Sequence, residues 1–257
     1  MSHFNDNLKD IKIKNLAIFI VASFLILYIL GILTSGIINE KWFYVVVIFY
    51  FVFKLKDYFN DFKKDCNNLF SKIQLEYILL IVFTNIFFSY GMLYLANFLV
   101  VHVPAFDFLV GFYVPLMSLS GFIPIVGVFI STVIVSPISE ELIFRGVLLS
   151  RLRLITPTIF AILVSSLLFG ALHSFGSIIS AFVFAVCMAI LYLKTENICV
   201  PILAHFLNNF FAEIIRLADF NNLLFTNDIV MSIVSILAIV SAILLVSSIV
   251  NELNKIK

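Results

Sequence analysis

The chain has 257 residues, of which 63% are hydrophobic and 12% charged. Soluble domains carry about a quarter charged residues, so this composition excludes an ordinary water-soluble domain and defines an integral membrane protein. The net charge of +1 gives no basis for a nucleic-acid partner.

A helix needs about 20 apolar residues to cross ~30 Å of hydrocarbon. Apolar runs predict eight spans, at about 16–38, 42–53, 77–101, 122–149, 157–173, 177–193, 199–216 and 229–250. The first is too long for a signal-peptide core and has no small-x-small cleavage site, so it reads as a membrane helix. The second, "WFYVVVIFYFVF", has only twelve residues and needs its flanks to complete a crossing. Residues 54–76 are the long polar stretch, and their alternating charges predict an amphipathic surface helix or a solvated connector.

Eight spans with the N-terminus inside put fourteen Lys and Arg residues on the cytoplasmic side, leaving Lys41 and Arg216 opposite. Positive charge stays inside, so both termini are expected in the cytoplasm of a multi-pass cell-membrane protein. The fold class expected is all-α, about eight transmembrane helices around a polar catalytic cavity, with residues 1–257 forming one membrane domain. Cys66, Cys187 and Cys199 form no CxxC pair or metal-finger spacing and read as reduced thiols.

Chemistry concentrates in "VIVSPISEELIFRGVLLSRL", residues 133–152. A charge at the bilayer centre costs ~2.5 kcal/mol or more, so intramembrane acids are functional candidates. Glu141 and Arg145 are four apart with the acid first, the favourable order for a helical ion pair. Glu140 lies roughly 100° around the helix and is expected to face a cavity. Pro137 is expected to kink the span. His173 and His205 fall within predicted spans; Asn209 lies one turn beyond His205 on the same face, and Asn208 points aside for packing or an interhelical hydrogen bond. Glu213 reads as a helix-end polar residue.

These residue types suit peptide hydrolysis. Glu140 would act as general base on a water, the histidines would position it or stabilise the oxyanion, and the Asn209 amide would donate to that oxyanion. Zinc is the competing cofactor, because Glu140, His173 and His205 match a catalytic ligand set, although the HExxH signature is absent. Metal-free catalysis is the preferred expectation.

Glu140-Glu141-x-x-x-Arg145, then Phe169-x-x-x-His173, then His205-x-x-x-Asn209 resemble the three ordered motifs of the CPBP family, the group of CAAX prenyl protease type 2 and bacteriocin-processing or Abi proteins. The matching core runs from about Gly121 to Arg216. The resemblance implies an intramembrane glutamic-type endopeptidase of eight spans. In it Glu140 activates water, His173 assists, and His205 with Asn209 binds the oxyanion, while Glu141 and Arg145 support. It implies a peptide or membrane-protein substrate in the lipid bilayer, with roles in peptide maturation or bacteriocin immunity. A non-proteolytic membrane protein that regulates a sensor kinase or confers immunity is the alternative.

Overall fold

A computed structural model describes residues 3–35, 38, 42–103, 105, 122–219 and 221–256. The expected loop residue Lys41 and the expected start of the core at Gly121 lie outside the described residues. Every regular element among the described residues is helical. The main helices are α1 (His3–Asp10), α2 (Ile13–Leu33), α3 (Phe43–Leu55), α4 (Phe59–Asn67), α5 (Leu75–His102), α6 (residues 122–152), α7 (Thr158–Ala171), α8 (Ile178–Thr195), α9 (Cys199–Ala218) and α10 (Asp228–Lys255).

Eight of these stand where the apolar runs predicted spans. Five are long and apolar enough to cross a bilayer: α2, α5, α6, the helix that includes α8, and α10. The other three fall short, α3 and α7 by length and α9 by its polar side chains. The chain is therefore an all-α, multi-pass membrane protein. Burial sorts the helices by depth. In α8, 67% of the most apolar stretch is enclosed, against 17% in α2. The helix α8 is thus the centre of the bundle, and α2 presents Val21, Leu25, Tyr28 and Ile32 outward, as a lipid-facing helix does.

Close approaches lock the bundle. A Cβ on Gly91 of α5 would sit 2.5 Å from the Ala238 Cβ of α10, so these two helices meet almost backbone to backbone. Gly170, near the end of α7, would meet the Ile178 carbonyl at 2.9 Å, which permits the tight hairpin into α8. Leu8 of α1 seats against Gly146, and Asn5 of α1 donates to the Glu196 carbonyl at 2.6 Å. The short polar helix α1 was not expected from hydropathy.

The segment 54–76 forms not one surface helix but a turn at Lys56–Tyr58, α4, and a final piece at Leu69–Lys72. Phe62 of α4 packs on Phe4 of α1 with ring centroids 4.9 Å apart.

The helix α6 stays continuous through Pro137, where a kink was expected. The five residues before it, Ser131–Val135, form a wide π-helical turn in which the Ser136 N–H reaches back to the Ser131 carbonyl. A second wide stretch, Leu142–Leu149, follows the acid pair. In the wide register Pro137 would have bonded the Thr132 carbonyl, but it has no N–H to give. The Asn209 Nδ2 of α9 donates to that carbonyl instead, at 2.8 Å.

Candidate active site

Glu140 and Glu141 occupy the short regular segment Ser136–Glu141 between the two wide turns. Adjacent positions on a helix diverge by roughly 100°, and the two carboxylates enter different surroundings.

Glu141 is fully buried. Its Oε1 accepts from Arg145 Nη1 at 2.9 Å and from His205 Nδ1 at 2.8 Å. The Arg145 guanidinium also donates from Nη2 to the Ala185 carbonyl at 3.0 Å and lies 4.8 Å from the centre of the Phe169 ring. A buried ion pair holds only when its remaining hydrogens find partners, and Ala185 and Phe169 supply them from α8 and α7. The Glu141 Oε2 finds no protein partner.

Glu140 keeps 12% of its side-chain surface open and lines a cavity of about 560 Å³. Its Oε1 accepts from Ser136 Oγ at 2.5 Å, and its Oε2 lies 3.8 Å from His205 Nε2. Tyr44 of α3 lines the same cavity, with its hydroxyl close to this carboxylate and to Ser136. The Ser139 hydroxyl, pointing away from the cavity, donates to the Tyr44 carbonyl at 3.0 Å and so fixes α3 to α6 at this level.

His173 also lines the cavity. It was expected inside a span, but α7 ends at Ala171 and His173 sits in the following turn. Its Nδ1–H donates to the Phe169 carbonyl at 2.9 Å, which also accepts from the Leu172 N–H at 3.3 Å. That bond leaves Nε2 free for the cavity. Apart from Ser174, the remaining walls are apolar: Ile20 and Phe24 of α2, Phe43 of α3, Ile143 and Phe144 of α6, Phe169 of α7 and Leu172 just past its end. Phe24 and Leu172 are 49% and 76% exposed, so the cavity opens sideways between α2 and α7.

Glu140, Glu141, Arg145, His173 and His205 thus meet at one place. Asn209 stands one turn further along α9, outside the cavity wall, with Nδ2 on Thr132 and Oδ1 accepting from Asn208 at 3.1 Å. Asn208 in turn accepts from Asn85 of α5 at 2.9 Å, the interhelical bond expected of it. Glu213 pairs with Arg216 at 2.7 Å, one turn nearer the end of α9.

No three His, Cys, Asp or Glu side chains among the described residues, Glu140, His173 and His205 included, converge to hold a metal ion.

Tyr44 and Ser136 are site residues that sequence reasoning passed over. The signal for Tyr44 was a phenol at the head of the shortest apolar run. Ser136 precedes Glu140 by four residues, the spacing at which helical side chains meet.

Residues 122–211 match the family model described as type II CAAX prenyl endopeptidase Rce1-like. This segment is well under half of the chain but holds all the motif residues, and over it the chain is similar to that family, as the three motifs implied. It is also 38% identical over 92 residues to "Putative membrane peptidase YdiL" of Bacillus subtilis (strain 168). That stretch is 35% of this chain and 38% of the relative, so the likeness spans well under half of either protein. No solved structure gives a significant match.

Proposed function

We propose that the chain is a metal-free intramembrane endopeptidase in which Glu140 activates the attacking water. The observation that carries the reading is the division between the carboxylates. Glu141 is committed to Arg145 and His205, while Glu140 faces a cavity beside His173. The family match and the name of the bacillary relative favour a membrane peptidase.

In this mechanism Glu140 takes a proton from water held between it and the free Nε2 of His173. The water attacks the scissile carbonyl. When protonated, His205 presents Nε2–H beside Glu140, with Glu141 behind it balancing the charge, and it stabilises the oxyanion. Asn209 supports the site from outside the cavity wall, holding α9 to α6 through the Thr132 carbonyl. Glu140 then returns the proton to the leaving amine. The Tyr44 and Ser136 hydroxyls hold the carboxylate in place.

The sideways, apolar mouth suits a hydrophobic peptide segment arriving from the bilayer. The lysine and arginine bias supports cytoplasmic termini. The test is complementation of a deletion strain with wild type and Glu140→Gln at matched membrane levels, read by mass spectrometry of membrane and secreted peptides. A processed peptide missing from both the deletion and the Glu140→Gln strain is the expected result. Full rescue by Glu140→Gln would overturn the catalytic reading in favour of a binding or immunity role.

A further inference from the structure

Away from the active site, the surface helix α4 meets the first turn of α9. Asn197 makes the joint: its Nδ2 donates to the Asp65 carbonyl at 2.8 Å, and its Oδ1 accepts from the Cys199 N–H at 2.9 Å. Cys66, next to Asp65, is exposed, and Cys199 is buried. The joint brings the two cysteines together, close enough for each thiol to influence the other. The third cysteine, Cys187, is buried on α8 beside Arg145.

We infer that Cys66 and Cys199 form a reversible, peroxide-sensitive disulfide that staples the surface segment to the start of α9, six residues before His205. The pair has the parts such a sensor needs: a solvent-reachable thiol that attacks and a sheltered one that resolves. Interaction with the Cys199 thiol lowers the Cys66 pKa below the usual cysteine value, against the opposing pull of partial burial and of Asp65. Thiolate character at Cys66 speeds attack on an oxidant. If α4 lies on the cytoplasmic side, the bond is of the transient, redox-sensing kind found there.

The chemistry balances with a hydroperoxide as oxidant. The Cys66 thiolate attacks one oxygen of hydrogen peroxide; the O–O bond breaks, and hydroxide leaves and is protonated to water. Cys199 then attacks the sulfur of the resulting sulfenic acid. An S–S bond forms, the S–O bond breaks, and the second oxygen leaves as water. Two thiols are oxidised by two electrons, and one peroxide is reduced to two waters. A dithiol reverses the step by exchange and is itself oxidised to its disulfide. None of this depends on the peptidase reading.

The test uses the full chain in liposomes, treated with hydrogen peroxide, unfolded, and labelled with a maleimide-polyethylene glycol. Before oxidation all three cysteines label. After it, Cys187 alone should label, a peptide map should show Cys66 joined to Cys199, and dithiothreitol should restore full labelling. With Cys199→Ser, Cys66 should stop at a sulfenic acid trapped by dimedone. With Cys66→Ser, both remaining thiols should stay labelled. A Cys66 that oxidises while Cys199 still labels, or that only cross-links two chains, would overturn the inference, and the wild-type map alone decides it.

Discussion

His205 donates from Nδ1 to Glu141 at 2.8 Å and thereby turns its Nε2 toward Glu140, 3.8 Å away. The two neighbouring acids of the sequence are thus connected in space through one imidazole. One orients the ring, and the other shares its far side with the cavity. Substitutions should separate the two roles. Glu140→Gln is expected to cut peptide cleavage by ~10²–10⁴-fold while the protein melts in detergent as the wild type does. Glu141→Ala leaves the Arg145 charge buried without its carboxylate and should cost ~3–5 kcal/mol, seen as a lower melting temperature. Equal melting losses in both variants would contradict the division.

Tyr44 presents its hydroxyl to Glu140 from a different helix. Tyr44→Phe removes that one donor and keeps the ring. Turnover should fall ~10²-fold, the scale of one lost active-site donor, with KM and melting temperature unchanged. A changed KM at full turnover would make Tyr44 a substrate-binding residue instead.

The bond from Asn209 to Thr132 exists because Pro137 has no N–H to offer. Asn209→Ala should therefore destabilise the protein by ~1–3 kcal/mol, the cost of an abandoned buried carbonyl. In a Pro137→Ala background a backbone N–H returns to α6 and competes for the same oxygen, so the Asn209→Ala loss should shrink. Melting curves of the double-mutant cycle measure this coupling, and strict additivity would show the two residues to be independent.

Gly91 stands where α5 and α10 approach most closely. Gly91→Leu should cost ~1–3 kcal/mol through overpacking. Gly127, with open space around it, should accept Ala without comparable loss. Thermal unfolding in detergent checks the contrast.

Hydropathy located eight helices because bilayer length and apolarity act on every residue of a span. Even the twelve-residue run was a helix, α3, though too short to cross unaided. The helix α1 escaped because eight mixed-polarity residues carry no such signal; it exists through Leu8 on Gly146 and Asn5 on Glu196, contacts 138 and 191 residues apart. The ion pair of Glu141 and Arg145 was legible because four-residue spacing is local geometry. The meeting of His205 with Glu141 across 64 residues was legible only as a set of residue types. Tyr44 was not legible, since nothing in an aromatic-rich run marks the one phenol that will face a carboxylate. His173 was placed inside a span, but it lies two residues past the helix end, because its own side chain caps the helix that hydropathy extends.

The wide turns on either side of the acid pair have a consequence for how this site can change. A wide turn holds an extra residue within a single loop of helix, so each behaves like a spare tooth in a gear. Removing one residue from 131–135 would restore ordinary pitch upstream and swing everything before Ser136 by about 100° against Glu140, carrying Thr132 off Asn209. The phase of the helix, and not only its composition, is therefore under constraint. Single-residue insertions and deletions between 131 and 149 should be tolerated far less than substitutions there.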